Sequence, residues 1–119
     1  MEIKEFYTAD GKLSSEVSFI TPTILMTKVV GPADEASATQ YSGYVTHLFE
    51  SGGLQGMVVD AGGGSSISPE AISILSKSDA FGFVKKIGVY GVSNPIFKIG
   101  LQAIIQASGR DNIKILNSQ

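Results

Sequence analysis

Apolar and polar positions repeat along this chain with two periods, one typical of strands and one typical of helices. Short β-favouring runs cover residues 3–8, 13–20 and 23–30, and Asp10-Gly11 between the first two is a strong hairpin signal. An acidic Asp34-Glu35 then precedes a stripe of apolar residues at helical spacing. That stripe consists of Tyr41, Tyr44, Val45, Leu48 and Phe49. The pattern predicts three strands followed by a helix.

The second half of the chain alternates between buried strands and helices. Residues 54–60 contain the run Met57-Val58-Val59, which predicts a central strand covered by helices on both faces. Ser68-Pro69-Glu70 and Ser93-Asn94-Pro95 each combine a capping residue with proline, which predicts two helix starts. Two further strands are predicted at residues 87–92 and 113–116.

The order β-β-β-α-β-α-β-α-β predicts one α/β domain over residues 1–119. Strands that alternate with helices require parallel pairing through right-handed crossovers, whereas the N-terminal β-hairpin adds antiparallel strands. We therefore expect a mixed, mostly parallel β-sheet with helices packed on it.

Composition narrows the range of partners. The chain has 119 residues, a net charge of −2 and no clustered basic stripe, which argues against nucleic acid as a partner. It has no cysteine, which excludes disulfides, thiol catalysis and thiolate metal sites. No apolar run approaches the length of a membrane span, and the first residues lack a signal-peptide layout. We expect a cytoplasmic protein.

Catalytic machinery is not recognisable. The single histidine, His47, falls off the apolar stripe of its helix and is expected to be solvated. One histidine with scattered acids makes no metal constellation. We predict no catalytic residues, no metal, no cofactor and no enzymatic activity.

A glycine-rich loop at residues 61–67 follows a strand and precedes a helix, which is where phosphate is often bound. It carries neither a P-loop lysine nor a dinucleotide fingerprint. It is therefore either a flexible turn or a ligand contact. For the second interpretation, the loops after Asp60 and Val92 are expected at neighbouring carboxyl ends of parallel strands, where ligands bind in open sheets. The candidate residues for an anion or a partner's carboxylate are Asp60, Gly63, Gly64, Ser65, Ser66, Ser68, Ser93 and Asn94.

The helix predicted at residues 95–108 is unusually apolar. Its polar side chains form one narrow stripe, made of Lys98, Gln102 and Gln106. Either neighbouring elements cover the rest of this helix, or Ile99 and Ile105 contact a partner protein or a second copy in a homodimer.

The strand Met57-Val58-Val59-Asp60, the loop and the Ser68-Pro69-Glu70-Ala71 helix start together resemble STAS domains. The likeness is to the SpoIIAA-like branch, bacterial anti-sigma-factor antagonists that act through protein contacts. In phospho-switch members an Asp-Ser/Thr-Ser-Gly segment begins this helix. Counting from Asp60, Ser68 falls at that aspartate, Pro69 and Glu70 at the hydroxyl positions, and Ala71 at the glycine. The resemblance implies that the phosphoacceptor is missing.

We therefore expect a non-enzymatic STAS-like regulatory module that binds a protein partner. Its contact surface is expected to be the helix that begins at Ser68, which includes Glu70, and the loop before it, either alone or with the helix that begins at Pro95. The alternative is a protein that binds or senses a small ligand, an anion or an apolar molecule, with the loops at 61–68 and 92–95.

Overall fold

A computed structural model of the protein describes residues 3–77, 86–108 and 113–115. Within these ranges the predicted order of strands and helices is confirmed. The strands are β1 Lys4–Tyr7, β2 Leu13–Thr21, β3 Ile24–Val29, β4 Gly56–Asp60, β5 Lys86–Tyr90 and β6 Ile113–Ile115. The helices are α1 Glu35–Glu50, α2 Pro69–Lys77 and α3 Pro95–Ser108. The predicted strand end at Leu116 lies outside the described residues.

The six strands form one sheet in the order β1-β2-β3-β4-β5-β6. Strands β1, β2 and β3 pair antiparallel, and β3 to β6 pair parallel, so the predicted mixed sheet with an N-terminal hairpin is confirmed. The register of the hairpin shifts at one point, because Phe6 pairs with Ser15 whereas Tyr7 pairs with Leu13. Ser14 is therefore an extra residue in β2, as in a β-bulge.

The three described helices all lie on one face of the sheet. The register places Leu25, Met57 and Ile87 side by side, and Val45 of α1 and Phe97 of α3 join them in one core cluster. Helix α2 contacts both α1 and α3. Right-handed crossovers put every connecting helix on the same side when the strand order advances in one direction.

The prediction that helices cover β4 on both faces is therefore wrong for the described part of the chain. Val58 points away from the helices, where its register neighbours are Met26 and Gly88, and it is half-buried. An apolar run shows that both faces of a strand avoid water, but it does not show what covers each face.

The hairpin is tied to the start of α1. Asp34 caps this helix: one carboxylate oxygen accepts from the Ser37 N–H at 2.9 Å, and the other accepts from the Ala9 N–H at 2.9 Å. The Phe6 ring lies 5.6 Å from Tyr41 and 5.7 Å from Tyr44, centroid to centroid. These contacts fix the hairpin against the helix layer.

Candidate functional site

The start of α2 has the predicted cap. The Ser68 hydroxyl accepts from the Ala71 N–H at 3.1 Å, and the Ser68 carbonyl accepts from the Ile72 N–H at 2.9 Å. Pro69 and Glu70 follow in the first turn with exposed side chains. A carboxylate at this end of a helix is favoured by the helix dipole. The first turn of α2 therefore presents a negative charge to solvent.

The glycine-rich loop uses its own N–H groups. Gly62 donates to the Asp60 carboxylate at 3.0 Å, and Gly64 donates to the Ala61 carbonyl at 3.0 Å. Gly63 donates to the Val29 carbonyl at 3.1 Å. A phosphate cradle needs several free N–H groups that converge on the anion. The three glycines do not offer such a cradle.

Close packing explains why two of these residues are glycines. A Cβ atom on Gly63 would lie 2.6 Å from the Val29 carbonyl oxygen, and one on Gly64 would lie 2.7 Å from the buried Phe97 ring. The loop is pressed between the end of β3 and the start of α3. This geometry favours the turn interpretation over the phosphate interpretation.

The two candidate loops meet where they leave the sheet. The Ala61 N–H donates to the Tyr90 carbonyl at 2.8 Å, and Gly91, at φ 76°, lies beside Gly62 and the Asp60 carboxylate. A side chain on Gly91 would be strained, since its φ lies in the left-handed region. The predicted proximity of the two loops is confirmed.

The polar residues of the loops fall into two groups. Asn94 caps α3, because its side-chain oxygen accepts from the N–H groups of Ile96 at 2.8 Å and Phe97 at 3.3 Å. Ser66 is half-buried, and its carbonyl accepts from the Ala33 N–H at 2.9 Å. Ser65 and Ser93 are exposed. Asp60, Ser68 and Asn94 thus stabilise the local backbone, and Ser65 and Ser93 face solvent.

Helix α3 divides its isoleucines between the interior and the surface. Ile99 is 68% exposed. Ile96, which was not singled out from the sequence, is 66% exposed. Ile105 is half-buried and faces the space between helices and sheet. The two residues proposed for one interface therefore lie in different environments. Ile96 and Ile99, one turn apart, form the exposed apolar pair.

Together, the exposed residues at the starts of two neighbouring helices define what we call the α2–α3 surface. It comprises Ser65, Pro69, Glu70, Ile96 and Ile99. The loop connects the two parts, because Gly64 packs on Phe97 and Ile67 packs on Gly100 of α3.

Two contacts of the loop were missed by sequence reasoning. Ala33 and Ile67 form an isolated parallel bridge, and Gly100 admits the Ile67 side chain against the α3 backbone. Glycine inside a helix is unfavourable without a packing reason, so Gly100 is a signal that could have indicated close contact. The bridge has no comparable local signal.

Within the described ranges, no group of three or more histidine, cysteine or acidic side chains is placed so that it could hold a metal ion. His47 lies exposed in the last turn of α1. In the same ranges, no helix combines the length and the apolar character needed to cross a membrane.

Comparison with known proteins shows likeness in structure only. No family model and no curated protein matches the sequence. The unphosphorylated anti-sigma factor antagonist SpoIIAA matches with a TM-score of 0.65 and 9% identity, over 88% of this chain and 89% of that one. The phosphorylated form of SpoIIAA, a Bacillus cell fate determinant, matches with a TM-score of 0.59 and 11% identity, over 88% and 91%.

A third solved structure, that of SLC26A9, matches over 95% of this chain and 22% of that chain, with a TM-score of 0.53 and 9% identity. The same arrangement of strands and helices thus occurs both as a small protein and as one part of a larger one. The chain has the SpoIIAA-like fold of STAS domains.

Proposed function

We propose that this protein is a non-enzymatic regulatory module that binds a protein partner through the α2–α3 surface. The fold supports this, since it is shared with a protein described as an anti-sigma factor antagonist. The surface supports it as well, because two exposed isoleucines on α3 and a carboxylate on the neighbouring helix α2 offer a partner both apolar and polar contacts.

The observation that carries the proposal is Glu70. It is exposed in the first turn of α2, directly after Pro69, where the resemblance to phospho-switch STAS domains places hydroxyl groups. A glutamate there supplies an acidic side chain without any kinase. We infer that the partner binds this surface constitutively, by pairing a basic group with Glu70 and covering Ile96 and Ile99.

The alternative function, anion binding by the two loops, has less support. The N–H groups of Gly62, Gly63 and Gly64 donate within the protein, and so do those that Ser68 and Asn94 cap. An anion could accept hydrogen bonds from these N–H groups only if the bonds within the protein were broken first. The two loops therefore do not favour an anion over water.

The test is site-specific photo-crosslinking in the cells that produce the protein. A crosslinking residue replaces Glu70 or Ile99 in turn, and a matched control replaces Lys28, which is exposed on the face of the sheet opposite the helices. We expect positions 70 and 99 to capture the same protein and position 28 not to capture it. Equal capture from position 28 would overturn the assignment of the surface.

Affinity for the captured partner then measures each contact. Glu70→Ser and Ile99→Lys are each expected to weaken binding about tenfold or more, because a few contacts carry most of the binding energy of an interface. The intact mass of the protein from the same cells shows whether it carries phosphate, and so whether the surface depends on a kinase. Phosphate on Ser65, Ser66 or Ser68 would overturn the proposal that the surface works without a kinase.

A further inference from the structure

A cavity of about 130 Å³ lies between the sheet and the helix layer. Its apolar walls come from β4 and β5, with Met57, Val59 and Val89, and from α3, with Leu101 and Ile104. An engineered apolar cavity of about 150 Å³ stays dry and binds benzene. This cavity is thus large enough for one ring or a short chain.

One part of the cavity wall carries hydroxyl groups. The β-bulge in β2 brings both Ser14 and Ser15 to the wall, where they are only 4% and 8% exposed. Among the described residues, neither hydroxyl has a hydrogen-bond partner. The neighbouring hydroxyls are already paired, since Thr27 and Tyr41 share a bond of 2.7 Å and Ser37 bonds to the Asp34 backbone.

Buried polar groups without partners are costly. Leaving such a hydroxyl unsatisfied forfeits its hydrogen bonds to water, and native proteins supply a partner in the great majority of cases. A single water could serve the two serines but would leave the apolar volume beside them empty. A molecule with a polar end and an apolar body would satisfy both parts of the cavity.

The lining also indicates the charge of the ligand. No lysine, arginine, histidine, aspartate or glutamate is among the described residues that line the cavity. Moving an ionised group into such a site without a counter-charge is strongly unfavourable. A carboxylate or an amine is therefore a poor match, and a neutral hydroxyl is a good one.

We propose that this cavity binds a small neutral amphiphile, a single ring or short chain with one hydroxyl, whose polar group pairs with Ser14 and Ser15. The site lies between the sheet and the helices: Ile67 at the end of the glycine-rich loop is among its described lining residues, whereas no residue of the α2–α3 surface is. A bound molecule would touch all three helices, since Ala38, Leu75 and Leu101 all line the cavity.

The experiment uses the full chain and three probes of similar size: benzyl alcohol, toluene and benzoate. Binding is measured by titration calorimetry and located by NMR shifts at Val89 and Ile104. We expect benzyl alcohol to bind in the cavity and benzoate not to bind. Ser15→Ala should weaken the binding of benzyl alcohol about threefold to tenfold, which corresponds to the loss of one hydrogen bond. It should not weaken the binding of toluene.

Matched variants distinguish a loss of binding in the cavity from a general effect of a substitution on the folded protein. Ser18→Ala removes a hydroxyl of the same strand on the opposite face and should change neither affinity. Ala38→Leu, or the milder Val59→Ile if the first does not fold, should fill the cavity and reduce binding of both uncharged probes. The proposal is overturned if no probe binds, since the serines then hold only water. It is also overturned if Ser15→Ala affects toluene and benzyl alcohol equally.

Discussion

At the scale of single residues, Gly63 and Gly43 occupy opposite environments. A Cβ on Gly63 would meet the backbone at 2.6 Å from Val29 and 2.8 Å from Val30, whereas one on Gly43, inside α1, has nothing within 4 Å. Gly63→Ala should lower the free energy of unfolding by about 1–3 kcal/mol through overpacking. Gly43→Ala should raise it by about 0.5–1 kcal/mol, since alanine is the better helix former. Urea titration of the two variants beside the wild type measures both changes.

Comparing Gly63→Ala with Gly43→Ala distinguishes overpacking of the loop from a general effect of replacing glycine by alanine. If both alanines shifted the unfolding free energy in the same direction, the change would reflect chain flexibility alone, and the close approach of the loop to β3 would be contradicted. A stable Gly63→Ala protein would also reopen the ligand-contact interpretation of the loop.

Capping residues were predictable from sequence, and packing partners were not. Ser68 and Asn94 act within four residues of their own positions, so local pattern suffices to identify them. Gly63 is required by Val29, and Ser14 joins Ser15 at the cavity wall only because β2 carries a bulge opposite Phe6. Contacts between distant segments leave at most an indirect signature in the local sequence, such as a glycine inside a helix at Gly100.

At the scale of elements, the structure shows which isoleucines of α3 are exposed, a question that the sequence pattern of this helix left open. Ile99 is largely exposed, whereas Ile105 is half-buried and lines the cavity. Ile99→Lys should change the unfolding free energy by no more than about 0.5 kcal/mol, as exposed substitutions do. Ile105→Lys should lower it by about 2 kcal/mol or more, because an ammonium group would be brought to an apolar wall. Thermal and urea unfolding of each variant tests this difference.

The same pair of variants tests the partner surface. Ile99→Lys should lose partner binding, or self-association if the partner is a second copy, while it stays folded. An Ile99→Lys protein that unfolds as readily as Ile105→Lys would show that Ile99 belongs to the core. The α2–α3 surface would then lose its apolar part.

Element order was predictable because each β-α-β unit is a local pattern, but the side of the sheet was not. Met57-Val58-Val59 is apolar throughout, and the pattern alone suggests helices on both faces. The actual cover depends on the strand order, since a sheet that advances in one direction receives all its crossovers on one face. Strand order is a property of the assembled sheet.

At the scale of the whole molecule, Asp34 joins the hairpin to the helix layer and makes that junction sensitive to acid. Hydrogen bonds from the Ala9 and Ser37 N–H groups hold the pKa of Asp34 below its usual range. A carboxyl with a lowered folded pKa contributes stability above its unfolded pKa of about 3.9, and this contribution is lost as the pH falls through the folded value. The wild type should therefore lose stability as the pH falls below about 4.

Two substitutions distinguish the contribution of the Asp34 hydrogen bonds from that of its negative charge. Asp34→Ala removes both bonds and should lower the unfolding free energy at pH 7 by about 1–2 kcal/mol, the usual cost of a lost N-cap. Asp34→Asn keeps one acceptor oxygen but does not titrate, so its stability should lie between those of the other two proteins at pH 7. Its deficit relative to the wild type should shrink as the pH falls from 7 to 3, measured by urea unfolding at each pH. A deficit that stays constant would mean that the charge of Asp34 contributes nothing, and that the hairpin is held on α1 by the contacts of Phe6 with Tyr41 and Tyr44 instead.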